Sequence, residues 1–143
     1  MEEHFKKLVN VFESAPINIW FQPKLLIPKA GEAEVKVSVR SEFFHAGNAT
    51  HGAIYFKMLD DAAYFAVQSL VTDFFILTAS FTIFLLRPVL GGHLIARGHV
   101  VQNARRLFVA EAVLTNDKGK EVGRGSGTFL PSSTRLDSNP GYS

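Results

Sequence analysis

Residues 45–61 read HAGNATHGAIYFKMLDD, and this stretch decides how the rest of the chain can fold. A polar loop with two glycines runs into an apolar segment that predicts a long helix over residues 52–71. The helix carries two adjacent acids, Asp60 and Asp61, among apolar side chains. Because a buried carboxylate is costly unless it is paired or used, we expect the chemistry of the protein to lie here.

The composition bounds the class of protein. The 143 residues are enough for one domain with a substantial core. Hydrophobic residues make up 47% of the chain and include 13 Phe, more than one subunit of this size is expected to cover, so association with another copy is predicted. The absence of cysteine excludes disulfides, a thiolate nucleophile and a cysteine metal site, and it suits a reducing cytoplasm.

The charge and hydropathy patterns argue against two classes of partner. The formal net charge is +2, and the basic residues are scattered rather than gathered into the stripe typical of nucleic-acid binding, so no nucleic acid is expected. A mild positive balance fits an anionic small molecule better. The first residues lack the order of a signal peptide and no apolar run is long enough to span a bilayer, so we expect a cytoplasmic protein with no membrane partner.

Hydrophobic periodicity predicts strands around the central helix. The predicted elements are a short amphipathic helix at 2–13, an irregular apolar segment at 17–28, a strand at 32–41, the long helix at 52–71, and strands at 74–86, 93–102, 107–115 and 120–130. A run of strands after one helix predicts an α+β fold, in which an antiparallel sheet of about five to six strands wraps around that helix. The domain would cover residues 1–130, followed by a polar, flexible tail at 131–143.

Two of the predicted strands have unusual patterns. Residues 74–86 are rich in Phe, Ile and Leu, which predicts a strand buried on both faces, with another subunit as the second cover. Gly123, Gly125 and Gly127 repeat every second residue along the last strand. This spacing allows something to approach one face of the sheet closely, such as a helix or a ligand.

The two acids differ in their neighbours on the helix. Lys57 precedes Asp61 by four residues, a spacing that predicts an ion pair and a solvated carboxylate. Phe56 and Tyr64 lie four residues on either side of Asp60, which predicts a half-buried carboxyl with a raised pKa, suited to take a proton from water. The alternative interpretation is that both acids are solvated residues on a partly exposed helix.

The N-terminus of the helix offers the complementary group. Its first N–H groups carry partial positive charge and suit a carbonyl oxygen or an oxyanion, and Gly52 lets a ligand come close. Gly52 and Asp60 are eight residues apart, which is about 12 Å along a helix. A site that uses both groups on one carbonyl must therefore combine Gly52 of one subunit with Asp60 of another.

The histidines do not have the spacing of a common metal site. His45 and His51 are six residues apart on the loop, without the helical i, i+4 pair or the Cys/His spacing of zinc sites. His93 and His99, on a predicted strand, are expected to be structural or exposed. No phosphate-binding loop and no Gly-x-Ser-x-Gly sequence is present. We therefore expect neither a metal nor another cofactor.

This stretch, with the strand that follows it, resembles the hotdog-fold acyl-CoA thioesterases of the PaaI-like branch, and the resemblance covers residues 45–130. The family motif is a polar residue, then His-Gly-Gly six positions later, then an Asp nine residues after that His. The chain has His51-Gly52-Ala53 in place of His-Gly-Gly, and Asp60 at the position of the Asp. Many members carry a Ser or Thr eighteen residues further on, where this chain has Thr78.

Three positions depart from the family pattern. His45 replaces the Asn that often precedes the motif, and Asn48 stands where a Gly is usual. Ala53 replaces the second Gly of His-Gly-Gly, which narrows the pocket that the motif lines without removing the Gly52 amide.

The resemblance implies hydrolysis of an acyl-CoA in a homodimer, with a homotetramer as the larger alternative. The Gly52 N–H would polarise the thioester carbonyl, and Asp60 of the neighbouring subunit would act as general base on water or, alternatively, as nucleophile. Thr78 would orient the water or the carboxylate. His45 and His51 would complete the pocket near the acyl group, with His51 also bracing the loop.

The remaining expectations concern the rest of the substrate and the rival functions. Arg105 and Arg106, in a predicted turn, are candidates for the CoA phosphates, and ordinary solvated charge is the alternative for both. A non-catalytic acyl-CoA-binding module is the main rival, because fold does not fix function. A hotdog dehydratase is the third candidate and would need a catalytic pair of His with Asp or Glu. The carrier could be CoA or an acyl carrier protein.

Overall fold

The computed structural model describes all 143 residues, Met1–Ser143. Its helices and strands, in chain order, are α1 (Glu2–Ser14), α2 (Pro16–Phe21), β1 (Lys24–Leu26), β2 (Glu32–Ser38), α3 (Gly52–Gln68), β3 (Phe74–Leu85), β4 (His93–Ala104), β5 (Leu107–Asn116) and β6 (Glu121–Arg135). The six strands form one antiparallel sheet in the order β1-β2-β4-β5-β6-β3. The predicted α+β architecture, with one long helix against an antiparallel sheet, is confirmed. None of its helices has the length and apolar character needed to cross a bilayer.

Helix α3 packs directly on the sheet, with Met58, Leu59, Ala62 and Ala66 fully buried. The helix backbone comes closest at Gly98 of β4, where an added Cβ atom would lie 2.4 Å from the carbonyl oxygen of Ala62. Only glycine allows a helix and a strand to approach so closely. This contact sets the distance between α3 and the sheet, and therefore also the distance of Asp60 and Asp61 from it.

The helix ends at Gln68, three residues before the predicted end. The Gln68 side chain is buried, yet all of its polar atoms are used. Its amide nitrogen donates to the carbonyl oxygens of Val71 and Phe74, and its oxygen accepts from the Ile76 N–H at 3.0 Å. The hydrogen bonds of the Gln68 side chain therefore connect the end of α3 to the start of β3.

Residues 17–28 were predicted to be irregular, and that prediction was wrong. Pro16 begins a six-residue helix that ends at Phe21, Gln22 follows in the left-handed conformation, and β1 comes next. Proline is favoured in the first turn of a helix because its missing N–H has no partner there. Both elements are shorter than the window over which hydrophobic periodicity can be recognised.

Strand β3 was predicted to be buried on both faces with another subunit as the second cover, and the single chain leaves one face exposed. It is the outermost strand of the sheet and is bonded along one edge only, to β6. Leu77 is 58% exposed and Phe84 is 60% exposed. Composition reveals that these side chains need a cover, but it does not reveal where the strand lies in the sheet.

The glycines of β6 allow the close approach that their spacing predicted. The ring of Phe81, on β3, covers the backbone of Gly125 and Gly127, and an added Cβ atom at either glycine would lie within 2.6 Å of that ring. Gly123 faces Tyr55 of α3 instead. An aromatic ring lying over a strand glycine is a recognised way to stabilise sheet pairing.

Residues 131–143 were predicted to be a polar, flexible tail outside the domain, but part of this segment belongs to the fold. Strand β6 continues to Arg135, and Leu136 is fully buried. The Tyr142 hydroxyl lies 2.7 Å from Nδ1 of the buried His4 on α1. The burial of Leu136 and the Tyr142–His4 hydrogen bond belong to no periodic pattern, so they could not be predicted from the sequence.

We predict that Gly98→Ala destabilises the protein by about 1–3 kcal/mol, because the new methyl group would press on helix backbone that cannot move aside. Urea unfolding measures the difference. Gly91→Ala is the matched control, since no atom lies within 4 Å of a Cβ atom there and its φ is not positive. Equal stabilities for the two variants would contradict the close contact.

Candidate active site

Asp60 is held half-buried between α3 and β3. The Thr78 hydroxyl donates to Oδ1 of Asp60 at 2.9 Å. Burial raises the pKa of Asp60 above its ordinary value, while the Thr78 hydrogen bond and the charge of Lys57 pull it back. The result is a carboxylate that is oriented by one hydroxyl and binds a proton more readily than a solvated Asp.

Asp61 is paired as predicted but is not solvated. Its Oδ2 lies 2.8 Å from Nζ of Lys57, and the two side chains are only 19% and 18% exposed. Burial raises the pKa of Asp61 to about 6, against the opposing effect of the Lys57 charge. The i, i+4 spacing predicted the pair, but it could not reveal that α1 and α2 cover this side of the helix.

Aromatic side chains flank the acids, as their spacing predicted. The Tyr64 hydroxyl donates to the carbonyl oxygen of Ile76 at 2.8 Å, and burial together with the charges of Asp60 and Asp61 raises the pKa of Tyr64. Phe56 is 39% exposed and meets the ring of Phe81 edge-on at 5.6 Å. Aromatic residues thus flank Asp60 along the helix, and its polar neighbours are Thr78, Lys57, Asp61 and Tyr64.

The loop before α3 is a tight, pinned turn. Asn48 adopts the left-handed conformation with a φ of 63°, which Asn tolerates better than most residues. The backbone of His45 pairs with Ala49, and the N–H and hydroxyl of Thr50 both donate to the carbonyl oxygen of Val89. Asn48 itself is exposed, so its evident role in this structure is to shape the turn.

Both loop histidines are oriented by backbone amides. Nδ1 of His45 accepts from the Gly47 N–H, and Nδ1 of His51 accepts from the Ala53 N–H, each at 2.9 Å. A ring nitrogen that accepts a hydrogen bond carries no proton, so each neutral ring carries its proton on Nε2. His51 is thus the N-cap of α3, and His45 is left with a donor to offer.

The Gly52 N–H donates no hydrogen bond within the chain. It lies in the first turn of α3, where the helix dipole adds partial positive charge. Gly52 lines a cavity of about 320 Å³ together with His45, Thr50, Tyr55 and Arg87. This cavity can accept a polar oxygen at the amide and has an apolar wall formed by Leu85, Leu86 and Pro88.

The predicted site residues therefore fall into two groups within one chain. Gly52 and His45 line the cavity at the helix N-terminus, with His51 and Ala53 in the adjoining cap. Asp60 and Thr78 form the second group, and neither lines that cavity. The separation agrees with the spacing of about 12 Å along the helix.

Arg105 and Arg106 belong to neither group. They are exposed in the turn that follows the end of β4. Gly52, in contrast, contacts Leu85 at the end of β3, which precedes the start of β4 in the chain. The twelve residues of β4 span roughly 35 Å. Within one chain these arginines are far from the cavity.

Two residues that line the cavity, Tyr55 and Arg87, were not predicted from the sequence. The Tyr55 hydroxyl donates to the carbonyl oxygen of Arg87 at 2.6 Å, and the exposed Arg87 side chain forms no ion pair. The i, i+3 spacing from Gly52 could have placed Tyr55 on the same helix face. For Arg87, the only signal in the sequence is its position directly before Pro88, just after the end of β3. No group of three or more His, Asp or Glu side chains is arranged to hold a metal ion.

The chain belongs to the thioesterase superfamily, whose family model matches residues 47–123. Nothing among the curated proteins matches it. Similar solved structures include PaaI of Escherichia coli, from the phenylacetic acid degradation operon, with a TM-score of 0.85 and 19% identity over 94% of this chain and 96% of that chain. A thioesterase family protein from Silicibacter pomeroyi gives 0.80 and 23% over 88% and 96%. A thioesterase from Haemophilus influenzae gives 0.79 and 14% over 89% and 90%.

The family model confirms the expected thioesterase family, and the likeness to PaaI and the other solved structures confirms the hotdog fold. The match to the family model covers the loop from Gly47 onward, all of α3 and the strands up to the start of β6, and it leaves His45 just outside. It leaves α1, α2, β1 and β2 outside, although α1 and α2 cover the Lys57–Asp61 pair.

We predict that Thr78→Val raises the pKa of Asp60 further, because the ionised carboxylate loses the hydrogen bond that favours it. A pH titration of the Asp60 carboxyl carbon by NMR measures this shift. Thr82→Val is the control, since Thr82 is exposed on the same strand and lies away from Asp60. If the pKa of Asp60 shifts equally in both variants, or in neither, the hydrogen bond between Thr78 and Asp60 is excluded.

Proposed function

We propose that the protein is an acyl-CoA thioesterase in which Asp60 acts as general base on water. The observation that carries this proposal is a carboxylate with a raised pKa, oriented by Thr78 and half-buried between α3 and β3. Such a group is suited to take a proton from water near neutral pH. In the alternative role, Asp60 would itself be the nucleophile and would attack the substrate carbon directly, with no water between them.

The proposed reaction uses both groups of residues. Asp60 takes a proton from water, the hydroxide oxygen bonds to the thioester carbon, and the carbonyl oxygen becomes an oxyanion. The Gly52 N–H, with the helix dipole behind it, stabilises that oxyanion. The carbon–sulfur bond then breaks, and the thiolate of CoA takes the proton back from Asp60, leaving a free acid.

The loop residues would position the substrate around this chemistry. The Nε2–H of His45 is a second donor for the carbonyl oxygen or the water. His51 and Ala53 act through the cap that holds the Gly52 amide outward, and Asn48 acts through the turn. These roles would make His45 a binding residue and the other three positioning residues.

A shared site requires a second copy, and β3 supplies the surface on which it would pair. This twelve-residue edge strand has one free edge and exposed apolar side chains, a combination that favours strand pairing. Antiparallel pairing about a twofold axis lays the end of one β3 beside the start of the other. Gly52 contacts Leu85 at the end of β3, and Asp60 bonds Thr78 near its start. Gly52 of one subunit would thus meet Asp60 of the partner in a homodimer.

The position of Arg87 makes it the first candidate for the phosphates of CoA. It lines the Gly52 cavity and is free of any ion pair, so it could reach an anion at the cavity mouth. Arg105 and Arg106 could contribute only from another subunit, since in one chain they lie at the opposite end of β4. A homotetramer of two such dimers is the larger assembly that would bring further subunits close.

We predict that the protein hydrolyses members of an acyl-CoA panel and that Asp60→Asn lowers kcat/KM by about 10²- to 10⁴-fold, the usual contribution of a general base. Release of free thiol measures the rate. Glu3→Gln, at an exposed acid on α1, is the control and should retain full activity. Binding of acyl-CoA without hydrolysis by the wild type would instead support the non-catalytic module.

We predict that Arg87→Ala raises KM for an acyl-CoA about two- to fivefold, as the loss of one exposed charge contact does, and leaves kcat unchanged. With the same acyl group on pantetheine, which lacks the nucleotide phosphates, Arg87→Ala and the wild type should have the same KM. A double variant, Arg105→Ala with Arg106→Ala, is the matched comparison. If that variant raises KM and Arg87→Ala does not, the assignment of Arg87 is wrong.

A further inference from the structure

Lys57 is held in place from two sides. Its ammonium lies 5.6 Å from the ring centroid of Phe12 on α1 and 5.0 Å from that of Phe21 on α2. On the helix side it bonds to Asp61 at 2.8 Å. A cation between two aromatic faces and a carboxylate is strongly favoured where water is largely excluded, so the charge has a fixed position on α3.

The fixed charge also acts on Asp60. Lys57 precedes Asp60 by three residues, a spacing that makes the two side chains neighbours on the helix surface. Burial raises the pKa of Asp60 and so makes it a stronger base, but it also favours the protonated form, which cannot accept a proton from water. The positive charge of Lys57 lowers the pKa of this carboxyl against the effect of burial.

We propose that Lys57 is a positioning residue: clamped by Phe12 and Phe21 and tethered by Asp61, its ammonium keeps Asp60 in the ionised form that can accept a proton from water. The proposal rests on the proposed function, since it assigns Lys57 a part in the same reaction. It gives the two N-terminal helices a role in the active site, although they lie outside the part of the chain that the family model matches.

The groups that face the two acids are few. On α3 these are Lys57, Tyr64 and the acids themselves, and β3 contributes the Thr78 hydroxyl. Helices α1 and α2 present aromatic rings to the Lys57 ammonium. The acid at the end of α1, Glu13, is engaged by Lys24 and by the Leu25 N–H. The pH dependence of Asp60 can therefore be assigned to its charged neighbours on α3 and to Thr78.

The test is the pH profile of kcat/KM in three variants. The base is active only when ionised, so activity falls as pH falls through its pKa, and this acid limb reports on Asp60. Lys57→Met fills the same space between the rings but removes the charge, so the limb should move to higher pH. Lys57→Arg keeps the charge and should hold the limb close to its wild-type position. Asp61→Asn leaves the ammonium unneutralised beside Asp60, so the limb should move to lower pH.

A second readout separates this inference from the proposed function. The NMR titration of the Asp60 carboxyl carbon requires no activity and should move in the same directions in the same variants. If the wild type hydrolyses no thioester but the titrations move as stated, the proposed function fails and the electrostatic role of Lys57 stands. Loss of activity in Lys57→Met at every pH, with neither the limb nor the titration displaced, would show that Lys57 is only structural and would overturn the inference.

Discussion

The burial of two carboxylates on an apolar helix is the constraint around which this molecule is organised. Burial favours the protonated form of each acid, so their charge must be maintained by neighbours. Lys57 pairs with Asp61 on one side, and Thr78 donates to Asp60 on the other. Helices α1 and α2 place Phe12 and Phe21 against the Lys57 ammonium, and β3 lies against α3 with Thr78 at Asp60.

The second organising feature is that one helix carries both halves of the proposed site but cannot bring them together. The free Gly52 amide lies at the N-terminus of α3, and Asp60 lies about 12 Å further along. Strand β3 relates the two ends, because Leu85 contacts Gly52 and Thr78 bonds Asp60. A twofold axis beside this free edge would unite the halves and would also cover the apolar face that one subunit leaves exposed. The same pairing of two β3 strands would then both form the dimer and complete the active site.

Much of this arrangement could be predicted from the sequence where a pattern repeats. The strands and α3 follow from periodicity, and the Lys57–Asp61 pair follows from its i, i+4 spacing. The family motif singled out Asp60, Gly52 and Thr78, and the structure brings Asp60 and Thr78 within hydrogen-bond distance. Non-periodic contacts could not be predicted: the short α2 and β1, the packing of the last residues on α1, and the burial of Asp61. Arg87 was missed because its place at the cavity depends on how β3 ends against the helix.

Hybrid dimers test the shared site most directly. Gly52→Pro removes the N–H and fits the first turn of a helix, since the preceding His51 is already extended at ψ 143°, although the added Cβ atom would lie 3.1 Å from the side chain of Leu85. Asp60→Asn removes the base. Each variant alone should be inactive, but subunits unfolded together and refolded as a mixture should recover about a quarter of wild-type activity, because half of the dimers are hybrids with one intact site each. A mixture that stays as inactive as its parents, although native mass spectrometry shows hybrid dimers, would contradict a site built from two subunits.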